Sequence, residues 1–245
     1  SITTRLLSIT SQLFELMPTY ISFVITGGGY DKFSVIRSGN PIMTAFDLSY
    51  NTGNRTPSPN TVLTPSIPLP PNTQLHTDPS CRIIFTDYGQ QVTPGNQLQY
   101  YLVPNRYGVD GDRFYLNPSS PFLTTIPFIT IQATYGVITL TSIEIKNFSG
   151  FFTSCTITRT DTTDGSTKTY PNAVSIVEVP FTNFTTLQYN QTGLSFSDID
   201  GLKPYHLYTY TLTPFFHSKY NGSDASGAPY IMTAKKVLDP IPNLM

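Results

Sequence analysis

The sequence predicts an all-β chain made of two copies of one antiparallel sandwich. Three observations carry that expectation. Proline and glycine, 21 and 16 copies, cut the 245 residues into short runs rich in Thr, Val, Ile, Tyr and Phe, which suit pleated, half-buried strands. The chain also repeats itself, and within each copy apolar side chains recur at every second position.

A shift of 122 positions lays Ile21, Phe23, Gly28, Tyr30, Phe33, Val35 and Arg37 on Ile143, Ile145, Gly150, Phe152, Cys155, Ile157 and Arg159 without a gap. Further on, a shift of 111 lays Ile83, Phe85 and Asp87 on Leu194, Phe196 and Asp198. A shift of 110 then lays Pro94, Leu98, Tyr100, Leu102 and Pro104 on Pro204, Tyr208, Tyr210, Leu212 and Pro214. Order is kept, and the shift changes by about the length of one inserted loop. Period two is plain in Tyr208, Tyr210 and Leu212 against Thr209, Thr211 and Thr213, so one face enters a core and the other meets water.

Taken in order, residues 1–17 form an N-terminal segment. Leu6, Ile9, Leu13, Leu16 and Met17 there fit a short helix, the one place where helical spacing occurs, with an edge strand or a connector from a preceding domain as the competing reading. Residues 18–128 form the first sandwich. Its insertion at 51–80 carries Pro57, Pro59, Pro65, Pro68, Pro70 and Pro71, each of which removes a ladder donor, so it reads as a loop or an edge segment. The boundary falls between Ile126 and Tyr135. Residues 129–237 form the second sandwich and 238–245 a tail or linker. Each unit is expected to hold seven strands.

The stretch Gly201-Leu202-Lys203-Pro204-Tyr205-His206-Leu207-Tyr208 resembles the fibronectin type III signature that leads into the sixth strand of that sandwich. The resemblance implies that Leu202 and Pro204 set the turn and that the Tyr208 hydroxyl bonds back to the backbone as a tyrosine corner. Asn221-Gly222-Ser223 through Ala228-Pro229 is similar to the loop before that family's last strand. The first unit departs from the pattern. Val92, Pro94 and Gly95 fit the turn, but Leu98 stands at the corner, and the chain has no Trp for the core position that the family fills with one.

Catalytic and metal-binding patterns are sparse. His76, His206 and His217 lie in no HxxxH, HExxH or GxSxG frame, and His206 is expected to be a solvated surface side chain. Gly27-Gly28-Gly29 lacks the Lys-Ser/Thr of a phosphate loop and reads as a turn. The pairs Asp110/Asp112, Asp161/Asp164 and Asp198/Asp200 fall short of the six to eight oxygens that calcium takes, and Asp161 to Gly165 and Asp200-Gly201 read as turns. Cys81 and Cys155 are expected to stay unpaired, and no cofactor or metal is expected. Sequons stand at Asn54, Asn147, Asn183, Asn190 and Asn221, with Asn147 expected to face the core.

Charged residues are only 12 % of the chain, about half the usual share, and 14 basic against 15 acidic side chains leave a net charge of -1. That balance offers nothing to hold a nucleic-acid backbone. No apolar run reaches the roughly eighteen residues of a membrane span. The expected role is therefore non-enzymatic, with other proteins, shell or surface subunits, as partners. Loop aromatics are the expected anchors: Tyr107, Phe114 and Tyr115 in the first unit, and Phe215, Phe216 and Tyr220 in the second. Low charge with abundant Asn, Thr, Tyr and Phe is similar to minor capsid or cement proteins of large icosahedral viruses. A virion is the expected location, with an extracellular adhesin or an accessory module of a carbohydrate-active enzyme as the alternative.

Overall fold

The computed structural model describes residues 10–26, 32–37, 40–43, 58–63, 69–116, 123–176 and 193–237. Among the described residues there are strands and turns and no helix. The chain divides into two compact units. Unit 1 takes the described residues up to Pro127 together with Lys219–Asn221, and unit 2 takes the rest from Phe128 onward.

The strands of unit 1 are β1 (Thr10–Leu16), β2 (Ile21–Thr26), β3 (Lys32–Arg37), β4 (Asn40–Met43), β5 (Thr73–Thr77), β6 (Ile83–Asp87), β7 (Gln97–Leu98), β8 (Tyr100–Arg106), β9 (Val109–Asp110), β10 (Phe114–Tyr115) and β11 (Thr124–Thr125). One sheet runs β1-β2-β6-β5 and the other β10-β8-β3-β4, with β9 also on β8 and β11 on β7. Their facing sides close on Ile21, Phe23, Ile25, Ile83, Phe85 and Leu75 against Phe33, Val35, Tyr100 and Leu102. In β2 and β6 burial continues on the outer side through Ser22, Val24, Ile84 and Thr86, so the first sheet of this unit is covered on both faces. That matches the near-continuous apolar run Ile21-Ser22-Phe23-Val24-Ile25 rather than strict alternation.

Unit 2 has β12 (Gln132–Ile138), β13 (Ile143–Ser149), β14 (Ser154–Asp161), β15 (Thr167–Ser175), β16 (Ser195–Asp198), β17 (Leu207–His217), β18 (Asp224–Ser226), β19 (Tyr230–Ile231) and β20 (Lys235–Lys236). One sheet is β12-β13-β16; the other is β15-β14-β17, with β18, β19 and β20 along the far side of β17 as one interrupted edge. Along β17 every second side chain, from Tyr208 to Phe216, is buried. Among the described residues all strand pairings are antiparallel, and each unit is a fibronectin type III-like sandwich by its strand order.

Strand register carries the repeat into three dimensions. Leu16 pairs with Ile21 and Ile21 with Asp87; 122 and 111 residues later, Ile138 pairs with Ile143 and Ile143 with Asp198. Across the second sheets, Arg37 pairs with Tyr100 and Val35 with Leu102, as Arg159 does with Tyr210 and Ile157 with Leu212.

Two expectations need correction. The helix expected within residues 1–17 gives way, over its described part, to the competing reading, the edge strand β1, and Leu6 and Ile9 lie outside the described residues. A register shift between Leu13 and Glu15 resets the pleat, so a bulged strand imitates helical spacing. Asn147 lies on β13 but is exposed, because the ladder shifts between Gln132 and Thr134 opposite it, its φ is +56°, and Phe148 turns inward instead. Of the two readings of the proline-rich stretch at 51–80, loop or edge segment, its described part holds the edge strand β5, against which Val62 forms a bridge to His76 and the Leu63 N–H donates to the Leu75 carbonyl. Pro57, Pro65, Pro68 and Gly27-Gly28-Gly29 lie outside the described residues, as do Asn54, Asn183 and Asn190.

Candidate functional site

The repeat positions Arg37/Arg159, Asp87/Asp198 and Tyr100/Tyr210 converge into one arrangement built twice. In unit 1 the Asp87 carboxylate ends β6 in one sheet, while Arg37 and Tyr100 are cross-strand neighbours in the other. Asp87 Oδ2 accepts from Arg37 Nη1 at 2.8 Å and from the Tyr100 hydroxyl at 2.7 Å, and Oδ1 accepts the Gly89 N–H. The contact therefore ties the two sheets together across the end of the core. Burial, and then the neighbouring Asp87 charge, pushes the Tyr100 hydroxyl far above its ordinary range, so it stays a donor.

Unit 2 builds the same clamp with more partners. Arg159 Nη1 reaches both Asp198 oxygens at 3.0 Å and the Asp200 carbonyl at 2.6 Å. The hydroxyls of Tyr210 (2.5 Å) and Tyr170 (2.6 Å) donate to Asp198, and so does the Asp200 N–H. Burial raises both tyrosines, with the Asp198 interaction adding to it. For Arg159 burial works downward, but Asp198 outweighs it and the net direction is up. A buried carboxylate saturated by a guanidinium and two phenols is a sheet-to-sheet clip, and its lone pairs are already committed.

The tyrosine corner stands beside this clip. The Lys203 N–H donates to the Tyr208 hydroxyl at 2.6 Å, and the Arg159 guanidinium lies 5.4 Å from the Tyr208 ring. Leu202 packs on the core, Pro204 is exposed, and Gly201 takes a φ of +68° in the turn. In unit 1, Val92 and Leu98 are buried and Pro94 is half-buried, so that corner is held by packing.

His206 is not a plain solvated side chain. Its Nδ1 lies 2.7 Å from Asp161 Oδ2, bringing together two residues 45 apart in sequence. Asp161 Oδ1 accepts the N–H groups of Thr163 and Asp164, and Asp164 Oδ1 accepts the Ser166 hydroxyl and N–H. Those Ser166 bonds hold the exposed Asp164 carboxyl down at about 2. Asp161, Asp164 and His206 each present one ligand atom within 4.8 Å of the others, so they could hold a metal ion, although Lys203 Nζ sits 3.4 Å from Asp164. His217 faces Asp224 at 2.7 Å, and His76 is buried, with burial lowering its pKa to about 3.

The six expected anchors differ in their settings within each unit. Tyr107 is 70 % exposed at the hairpin tip between β8 and β9, with the Arg106 guanidinium over its ring. Phe114 and Tyr115 are not in a loop: they form β10, where Phe114 packs on the unit 1 core and Tyr115 lies 5.0 Å from the Tyr101 ring. Phe215 and Phe216 lie inside β17, and Phe216 is completely buried. Tyr220, counted with unit 1, stacks on Tyr88 at 5.1 Å. Strand pairing takes Phe114, Phe215 and Phe216 out of the loops in which they were expected. The clamp residues were visible as repeat positions, but only the fold turns them into one contact. Cys155 is buried, which raises its thiol to about 12, and Cys81 is half-buried at a φ of +64°; both are free thiols.

No family model and no curated protein matches the chain. Among solved structures, a two-domain fibronectin type III segment of chicken tenascin aligns over 93 % of this chain and 97 % of its own, at 9 % identity and a TM-score of 0.33. The FN1-FN3 segment of chicken contactin aligns over 93 % and 98 %, at 9 % identity and a TM-score of 0.28. A tetra-tandem repeat from the extending region of a large adhesion protein aligns over 94 % of this chain and 49 % of its own, at 11 % identity and a TM-score of 0.30. The fold assignment rests on strand order and register within each unit.

Proposed function

We propose that this chain is a non-enzymatic structural protein whose two sandwiches fasten neighbouring protein subunits, with the shell of a large virus particle as its setting. One observation carries the proposal. The strongest polar clusters, around Asp87 and Asp198, are consumed in holding sheets together, while large apolar side chains such as Tyr107, Val137 and Ile199 stand exposed at hairpin tips and strand ends. Such a surface suits permanent contact with protein better than chemistry on a small molecule. The virion setting draws on the low charge and the abundance of Asn, Thr, Tyr and Phe. Among the described residues no helix is long and apolar enough to cross a membrane.

A cell-surface or secreted adhesive role is the second reading, favoured by the exposure of the sequon residues Asn147 and Asn221. Fractionation of the native source separates the two. Recovery in purified particles with bare Asn147 and Asn221 supports the shell reading. Surface labelling with glycan on either residue overturns it in favour of the adhesive one. Recovery only as a free, uncomplexed chain overturns both.

A further inference from the structure

The two clamps differ in how far their arginine is satisfied. In unit 2, Arg159 Nη1 meets both Asp198 oxygens, the Asp200 carbonyl at 2.6 Å and the Tyr170 hydroxyl at 3.2 Å. In unit 1 the repeat puts Gly89 where Asp200 stands, and Met43 pairs with Val35 as Tyr170 pairs with Ile157, so that register position carries no hydroxyl. Arg37 Nη1 reaches one Asp87 oxygen at 2.8 Å, with the Tyr100 hydroxyl beside it. A guanidinium has five N–H donors, and two oxygens cannot take them all.

Arg37 lines a cleft of about 340 Å³ together with the Pro70-Pro71 pair, Asn72, Gly89, Gln90 and Gln91, all within unit 1. That volume is at the small end of the range for ligand sites, about 300–1,000 Å³. The backbone of the rim is tied down: the Tyr88 N–H donates to the Asn72 carbonyl, the Val92 N–H to the Gly89 carbonyl and the Asn96 side-chain amide to the Gln91 carbonyl. The side-chain amides of Asn72, Gln90 and Gln91 are exposed and make no hydrogen bond to the described residues. Glycine at 89 keeps the floor open, since a Cβ there would lie 3.2 Å from Asp87 Oδ1 and 3.3 Å from Arg37 Nη1.

Charge narrows the ligand. Arg37 is the one ionisable group among the described lining residues, and buried Asp87 already neutralises it, so a net anion gains little. Unit 2 shows what the same guanidinium takes beyond its carboxylate: a carbonyl and a hydroxyl oxygen, both neutral. Each of the three amides pairs a donor with an acceptor, a pattern that neighbouring hydroxyl groups match, and the two proline rings offer C–H surface. We propose that this cleft binds a neutral sugar unit of a glycan, whose hydroxyl oxygens accept from Arg37 and whose hydroxyls bond the amides of Asn72, Gln90 and Gln91. The site lies wholly in unit 1, and the proposal rests on neither of the settings above.

Nitrogen–proton NMR of the full chain tests it, with the methyl glycosides of glucose, galactose, mannose and N-acetylglucosamine as probes and acetate and methyl glucuronide as carboxylate comparators. Each is titrated to about 50 mM, because a small site of this kind is expected to bind in the millimolar range. At least one neutral glycoside should give saturable shifts at the Arg37 Nε–H, the Gly89 amide and the Gln90 and Gln91 side chains, with the Arg159 Nε–H unmoved. Gln90→Ala with Gln91→Ala, at exposed positions, should weaken that binding about tenfold with an unchanged melting profile. Asn72→Gly, which keeps the positive φ, should also weaken it. Saturable shifts with none of the four neutral probes, binding confined to the two carboxylates, shifts centred away from Arg37, or variants that bind like wild type would each overturn the proposal.

Discussion

The two units share a ladder and a clamp but differ in what surrounds them. Asp87 is held by one guanidinium, one phenol and one backbone N–H, whereas Asp198 has a guanidinium on both oxygens, two phenols and a backbone N–H. Unit 2 also closes its corner with the Tyr208 hydroxyl, where unit 1 has only buried Leu98. The difference teaches that the sheet-to-sheet ion pair is the element both copies keep, while the corner hydrogen bond is optional. A buried carboxylate without its guanidinium is costly in any sandwich, and a corner can be filled by packing alone.

The largest break in this comparison comes from the clamps. Asp198→Ala should cost about 3–5 kcal/mol in unit 2, because it strands a mostly buried Arg159 and two phenols. Asp87→Ala should cost less in unit 1, where fewer donors lose their acceptor. Hydrogen exchange on the amides of β14 and β3 reads each unit separately. Equal losses would mean that the extra partners of Asp198 add nothing.

Acid should separate the units next. The folded pKa of His76 is depressed from 6.5 to about 3 by burial, so the unfolded chain takes up the proton first as pH falls. His76 therefore withdraws stability from unit 1 from about 6.5 down towards about 3, by an amount that His76→Gln abolishes, while buried Glu15, its pKa raised by burial, works in the opposite direction. Asp164 in unit 2 behaves differently: its stabilisation is intact above the ordinary carboxylate value and is lost only as pH falls towards about 2. Urea midpoints measured between neutral pH and pH 3 check the order. Unit 2 failing first, with His76→Gln silent, would reverse it.

Phe114 and Tyr107 sharpen the contrast within unit 1. Phe114→Ser should destabilise that unit by about 2 kcal/mol, since the ring packs on the core. Tyr107→Ser, at the exposed tip, should change folding by no more than about 0.5 kcal/mol while affecting association. The smallest expected effects lie at the corners. Tyr208→Phe should cost about 1 kcal/mol by removing the acceptor of the Lys203 N–H. Leu98→Tyr should bring no matching gain, because a larger ring must enter a site packed around leucine. An unchanged unit 2 melt in Tyr208→Phe would remove the corner from the list of stabilising contacts.

Much of the fold was legible because the information is local and periodic. Alternation in Tyr208-Thr209-Tyr210-Thr211-Leu212 decides which face of β17 is buried, and the Gly201 turn with Leu202 and Pro204 places Tyr208 where its hydroxyl meets Lys203. The repeat spacing fixed which strands correspond, and register later paired the same residues. β1 was harder to read, because its bulge between Leu13 and Glu15 breaks the period that distinguishes a strand from a helix.

Tertiary structure alone decided the rest. Arg37 stands 50 residues before Asp87 and Tyr100 stands 13 after it, and no spacing rule joins them; two sheets facing each other do. His206 meets Asp161 because β14 and β17 are neighbours, and Phe114 and Phe216 are packed because strands claim segments that were expected to be loops. Local sequence sets backbone conformation and the side to which each residue points. Which distant charge a buried carboxylate meets depends on how sheets stack, and that is a property of the folded chain.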